Sequence, residues 1–377
     1  MDGIGIPRRL RGLPGRACAA AAASAAMAVA LGAAAVPAAA AAHPDAVTNF
    51  SGSLSSVTAV SATDAWAVGG NAADRNMILH WDGTGWTKAA IPKTRLGFLG
   101  GVSAVSSSDA WAVGSYSKNG SVKTLVLRWN GTDWAQAASP SPGKGAVTDQ
   151  LNAVSAPSPT DVWAVGTYGK FSALALHWNG STWARIPVPD PQADGGQLLG
   201  VDALSAKDVW AVDNSRVLHW NGTRWSVLPG PEGGLLTAVT AVSATDAWVV
   251  GAAGSQSLVL HCTGTACSSV ASPNPGGTTS ASFNHLDSVT ALSPTDAWAV
   301  GAYGHFNGST IGKTLVLHWD GTSWTQVASP TVAKSSALYS VTASSASQAW
   351  AVGQWGTRTV PGGALILDWN GTSWRRT

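Results

Sequence analysis

Apolar residues recur along this chain two positions apart, and the block that contains them is repeated seven times. Aligned on Asp64, Asp109, Asp161, Asp208, Asp246 and Asp296, with Gln348 in the last copy, the ten preceding residues match without a gap. A leucine stands ten residues before each anchor, from Leu54 to Leu338, a valine seven before, as at Val57 and Val289, and an alanine five before, as at Ala59 and Ala291. Every copy has a serine three before: Ser61, Ser106, Ser158, Ser205, Ser243, Ser293 and Ser345. Two after the anchor comes a tryptophan (Trp66, Trp111, Trp163, Trp210, Trp248, Trp298, Trp350) and four after it a valine. A period of two places side chains on one face of a β-strand. Each copy therefore reads as strand a (LxxVxA), strand b (WAVG), strand c (LxLHW) and strand d, which runs from a second tryptophan towards an SP or IP dipeptide.

The connections support this division. SxxD between a and b supplies short polar side chains that bond nearby backbone groups and close a tight turn. NGT or DGT between c and d is a hairpin signal, because Asn, Asp and Gly tolerate left-handed backbone. Around that turn the sequence reads LxWNGTxW. Its first tryptophan position holds Trp81, Trp129, Trp178, Trp220, Cys262, Trp319 and Trp369, and its second Trp86, Trp134, Trp183, Trp225, Cys267, Trp324 and Trp374. The anchors lie 45, 52, 47, 38, 50 and 52 residues apart, the length of a four-stranded propeller blade. One four-stranded sheet cannot cover both of its apolar faces, whereas neighbouring blades with tryptophans as spacers can. The expected fold is all-β, a seven-bladed β-propeller of four-stranded antiparallel blades over residues 54–377.

The order LxxVxA, DxWAVG, LxxWDGTxW resembles the tryptophan-containing repeats of the BNR/Asp-box group and the Ycf48-like assembly factors. The likeness spans residues 54–377 and implies a propeller without implying an activity. The usual DGGxTW of that group separates Asp from Trp by five residues, whereas Asp82 and Trp86, like Asp320 and Trp324, are four apart. The WD pairs Trp81-Asp82 and Trp319-Asp320 fall inside the c–d hairpin, which fits a WD40 repeat less well.

Composition agrees with one repetitive β domain: 43 glycines, 20 tryptophans and 11% charged residues in 377. Residues 1–42 read as an export signal, with Arg8, Arg9, Arg11 and Arg16 ahead of an alanine-rich run and Ala40-Ala41-Ala42 before His43. A retained anchor is the alternative, but Gly32 and Pro37 interrupt the run. Residues 43–53 form a short N-terminal segment. Cleavage after Ala42 removes those four arginines and Asp2, so the formal net charge falls from +2 to about −1. A near-neutral domain lacks the basic excess that nucleic acid or anionic membrane requires. The mature chain is expected to be a secreted monomer with no stable membrane span. Cys262 and Cys267 are then its two cysteines, an even number that favours a disulfide over a metal site or a reactive thiol. By the loop model such a bridge contributes about 2 kcal/mol, comparable with an aromatic pair, so the exchange of tryptophans for cysteines reads as nearly neutral.

The repeats differ mainly in their b–c loops and d–a linkers, which emerge on one face. From the strand-b glycine (Asp213 in the fourth copy) to the hairpin, the spacing runs 12, 15, 12, 7, 11, 18 and 16 residues. Variable loops on a rigid scaffold are where binding specificity resides. Tyr116, Tyr168, Tyr303 and Trp355 all stand two residues past a strand-b glycine. They form either an incomplete aromatic ring at a channel mouth, suited to stacking on a sugar or gripping a peptide, or caps on individual blade edges. Phe171, Phe306, His305, His285, Asp149, Asp194 and Glu232, the chain's single glutamate, lie in the same variable segments. The candidate ligand-binding set is Tyr116, Tyr168, Phe171, Glu232, Tyr303, His305, Phe306 and Trp355. The short loop of copy four lowers one side of this face, where a groove is expected.

Enzymatic chemistry finds less support. Arg185-Ile186-Pro187 echoes a sialidase motif, yet Ile91-Pro92 occupies the comparable place in copy one, and glycosidases need two placed carboxylates. His80, His177, His219, His261 and His318 each precede the first hairpin position, with Arg128 and Asp368 there in the other copies. A fivefold histidine reads as a structural hydrogen bond to the anchor aspartate rather than a catalytic or metal-binding group. Sequons at Asn130, Asn179, Asn221 and Asn370 share a turn position with Asp82 and Asp320, so turn geometry explains them. No catalytic set, metal or cofactor is expected. The leading expectation is a non-catalytic binder of a glycan or an extracellular protein; an assembly scaffold and a sialidase-like hydrolase or lyase are the alternatives.

Overall fold

The computed structural model describes residues 49–377 apart from 72–75, 93–96, 146, 190–195, 307–311, 334 and 358–360. Residues 1–42, read as an export signal, residues 43–48 and Asp194 lie outside the described residues. The chain folds into seven antiparallel four-stranded sheets, each built from four consecutive strands, and the described residues contain no helix. In blade 1 the strands are a (Ser53–Ser61), b (Asp64–Gly70), c (Asn76–Trp81) and d (Trp86–Lys88). The seven a strands adjoin one another around a central channel, that of blade 1 beside that of blade 7. The short d strands form the outer rim.

Among the described residues no strand is exchanged between the first and last blades. Val57 of blade 1 donates its N–H to the Ser340 hydroxyl of blade 7 at 3.2 Å. The same bond joins Val102 to Ser56 and Val341 to Ser288, both at 3.2 Å. The N-terminal segment adds a clasp: the Phe50 carbonyl accepts from Ala364 N–H at 2.8 Å, and Arg376 donates to Asn49 Oδ1 at 2.6 Å.

The core is a series of inter-blade walls in which the strand-b tryptophan of one blade meets the hairpin tryptophans of the next. Trp66 lies 5.0 Å from Trp129 and 5.2 Å from Trp134, ring to ring. Within each hairpin the two tryptophans pair directly, Trp81 with Trp86 and Trp319 with Trp324. In blade 5 Cys262 and Cys267 occupy that paired position and are disulfide-bonded, with Cα atoms 3.9 Å apart. The turns work through side-chain acceptors. Asn130 Oδ1, like Asp82 Oδ1, accepts from the next-but-one hydroxyl and two backbone N–H groups, while Gly131 and Gly83 alone take positive φ. The left-handed backbone expected of the Asn and Asp residues is thus confined to glycine, and their contribution is the carboxylate or amide oxygen.

Each a–b turn is closed by its repeated serine, as where Ser61 Oγ accepts from Thr63 N–H at 3.2 Å. The anchor aspartates hold the five histidines: His80–Asp64 at 2.9 Å, His177–Asp161 at 2.8 Å, His219–Asp208 at 2.7 Å, His261–Asp246 at 2.7 Å and His318–Asp296 at 2.9 Å. Where arginine replaces histidine, Arg128 makes the bond to Asp109 at 2.8 Å; where the last anchor is glutamine, Gln348 donates to Asp368 at 2.7 Å. Each histidine also packs on its strand-b tryptophan, with Trp66 and His80 rings 4.1 Å apart. The histidines are structural ties, as their recurrence implied.

Candidate functional site

Antiparallel order a–b–c–d sends the a–b and c–d turns to one face and the b–c loops and d–a linkers to the other. Tyr116, Tyr168, Tyr303 and Trp355 all reach the variable face half-buried, each in a different wall between its own blade and the preceding one. Arg185, the residue of the sialidase-like echo, is held over the Tyr168 ring at 4.2 Å and donates to its hydroxyl. Arg376 lies 5.7 Å from the Trp355 ring. Tyr116, with Lys118 and Lys123, lines a surface cavity of about 500 Å³.

The other candidates are more open. Phe171 is 61% exposed and held at φ 69°, a region that strains a side chain with a Cβ. Phe306 is 64% exposed, its ring 5.2 Å from Phe283, which stacks on His285. His305 is exposed with Nδ1 3.4 Å from the Ser282 hydroxyl. Glu232 is exposed at a cavity of about 330 Å³ between blades 4 and 5, where the short loop of blade 4 had pointed to a groove. Asp149 is fully buried and accepts from Gly143 N–H at 3.0 Å and Gly169 N–H at 3.1 Å, tying a linker to a loop.

A second set of residues lines the channel. Every strand a carries a register shift just after its leucine, leaving one residue unpaired: Ser55, Gly100, Asn152, Leu199, Thr237, Asp287 and Tyr339. All seven line a polar central cavity of about 320 Å³. Bulges of this kind re-aim side chains and recur beside sites. They also explain the strand-b glycines, since a Cβ on Gly69 would lie 2.1 Å from the Ser53 carbonyl and one on Gly301 2.0 Å from that of His285. In blade 4 strand a begins only at Leu198, and there the glycine position admits Asp213. Asp213 is itself a turn staple, accepting from Ser215 N–H, Arg216 N–H and the Arg216 side chain. The signal for the bulges was present: the first x of LxxVxA is the one strand-a position near the variable face that differs in every copy.

Asp202 also lines this cavity. The position after the strand-a valine is Ser or Thr in six blades, and in the first three it clasps the next blade, as where Ser155 Oγ accepts from Ala203 N–H at 3.0 Å. In blade 4 it is Asp202, which accepts from Ala241 N–H at 2.8 Å, Ser155 Oγ at 3.1 Å and Thr240 Oγ1 at 3.3 Å. Burial pushes its carboxyl above the usual carboxylate range, and those hydrogen bonds only partly offset the shift. Among the described residues no three His, Cys, Asp or Glu side chains come together as a metal cluster.

No protein-family model and no curated protein matches this sequence. Solved structures do. Ycf48 bound to a D1 peptide is similar at a TM-score of 0.56 and 13% identity, over 86% of this chain and 94% of that one. A GH74 xyloglucanase from Xanthomonas campestris is similar at 0.60 and 13%, over 88% of this chain and 55% of that one. The extracellular domain of a one-component system from B. thetaiotaomicron is similar at 0.53 and 10%, over 83% of this chain and 39% of that one. Identities this low establish the fold alone: the chain is a tryptophan-rich, seven-bladed β-propeller similar in architecture to Ycf48 and to the GH74 propellers.

Proposed function

We propose that this chain is exported and acts as a non-catalytic binding platform, taking a protein or glycan ligand on its variable-loop face. The observation that carries this reading is the placement of exposed apolar side chains. Phe171, Leu235 and Phe306 are 61%, 63% and 64% exposed, with Phe98 at 46%, and all four stand where loops or linkers enter or leave blades on that one face. Large apolar groups kept in water at one end of a rigid scaffold mark interaction surfaces. The opposite face instead repeats the same closed turn around the ring, with Leu204 and Leu292 beside it less open at 38% and 37%. The Cys262–Cys267 disulfide fits an oxidising compartment, and Ycf48 with its D1 peptide is a case of the same fold holding a peptide.

The test is to screen the full chain against a random heptapeptide display library and a glycan array, beside a variant carrying Phe98→Ser, Phe171→Ser and Phe306→Ser. Saturable binding that falls at least about tenfold in the variant, with tryptophan fluorescence unchanged, is the expected result. Binding that survives the triple change, or no ligand from either screen, overturns the reading.

A further inference from the structure

The cavity between blades 4 and 5 lies where three local departures from the repeat meet. The b–c loop of blade 4 is the shortest in the chain, seven residues from Asp213 to Trp220. A disulfide stands where other hairpins place two indoles. The linker that joins blade 4 to blade 5 is Pro229-Gly230-Pro231-Glu232-Gly233-Gly234, and it settles over the disulfide: Cys267 N–H donates to the Pro229 carbonyl at 2.9 Å. Under this linker is a space of about 330 Å³ whose lining includes Val217, Leu228, Leu236 and Leu260, together with Val227, which is 45% exposed.

Its charge is unbalanced. Arg216 is consumed internally, donating from Nε to Asp213 Oδ2 at 2.6 Å and from Nη1 to the Pro189 carbonyl at 3.3 Å. Glu232 is exposed at the same cavity and bonds no described residue. Two prolines and Gly233, at φ 88°, fix the linker that displays it. A lone carboxylate beside aliphatic walls complements a cation on an aliphatic stem, whose carbons pack while the charge stays in water. We infer that this groove is a subsite for a peptide segment bearing lysine or arginine next to an aliphatic residue, the cation meeting Glu232 and the neighbour packing on Val217 and Leu228. This rests on the reading of the variable face as a protein-binding surface.

The heptapeptide library separates the two claims when panned against the wild type, Glu232→Gln and Glu232→Lys. Glu232 is exposed, so both variants are expected to fold. The subsite predicts enrichment of Lys or Arg beside an aliphatic residue on the wild type, loss of that enrichment with Glu232→Gln, enrichment of Asp or Glu with Glu232→Lys, and affinity for wild-type-selected peptides lower by up to about fivefold in Glu232→Gln. Peptides without a basic bias, or with a bias that persists in Glu232→Gln, overturn it. If such peptides bind and are lost only on the Phe98, Phe171 and Phe306 changes, the subsite fails and the face stands. If no peptide is selected at all, the subsite fails together with the protein-binding reading.

Discussion

The ring of Trp350 in the last blade lies 4.9 Å from that of Trp81 in the first, at an interplanar angle of 57°. Trp248 and Trp319 meet at 4.9 Å and 56°, and so do Trp298 and Trp369. The two ends of the chain are therefore joined by the same contact that joins consecutive blades.

This equivalence sets the first prediction. Trp350 and Trp248 are both almost fully buried, and truncating either to alanine is expected to cost about 3–5 kcal/mol. Urea unfolding followed by circular dichroism should give the same loss for the two within about 0.5 kcal/mol. A clearly smaller loss for Trp350→Ala would show that the closing wall carries less of the stability than the internal ones.

Restoring the repeat pattern in blade 5 is expected to destabilise. Cys262→Trp with Cys267→Trp would remove a bridge worth about 2 kcal/mol. It would also set two larger side chains against a linker that already packs on the disulfide, Cys267 N–H donating to the Pro229 carbonyl at 2.9 Å. Overpacking of this kind typically costs about 1–3 kcal/mol. The near-neutral exchange expected from pair energies alone omits this neighbour. Thermal unfolding of the double variant at or above the wild-type midpoint would refute the crowding.

Asp202 gives a pH prediction with a definite sign. Its folded-state pKa is raised, chiefly by burial, so the native state binds the proton more tightly than the unfolded chain does. Its contribution is most favourable below the unfolded carboxylate range and declines as pH rises through the folded value. Asp202→Thr supplies the hydroxyl that other blades use at this position and does not titrate. The stability of the variant relative to wild type should therefore grow from pH 4 to pH 7, by denaturant unfolding across that range; a difference independent of pH would count against it.

Asp82 behaves oppositely. The Thr84 hydroxyl at 2.6 Å, helped by the N–H groups of Thr84 and Gly85, lowers its pKa to about 2. A lowered folded-state value gives a contribution present above the unfolded carboxylate range and lost as pH falls through about 2. Thr84→Val removes the leading donor, and a carboxyl-carbon NMR titration should show the midpoint rising towards the ordinary value of about 3.9. An unmoved midpoint would assign the shift to the backbone donors.

The sequence alone determined the number of blades, their four strands, the pairing of the hairpin positions and the histidine ties, because each is set by local period and by recurrence within one chain. Cys262 and Cys267 could be paired from a hairpin that fixes which residues stand opposite, and His80 could be given a structural bond to its anchor Asp64 because a histidine recurs at that place in five copies, each with an anchor aspartate. Tertiary structure decided what lies between segments roughly one repeat apart. It made strand a innermost, packed Tyr116 and Trp355 into inter-blade walls, and turned the unpaired residue of each bulge, from Ser55 to Tyr339, towards the channel. Those outcomes depend on which faces meet and how closely two backbones approach, and the period of a strand does not encode either. The repeated hairpins specify a rigid ring; the unrepeated loops, with Glu232 and the exposed phenylalanines, acquire a shared surface only once that ring has closed.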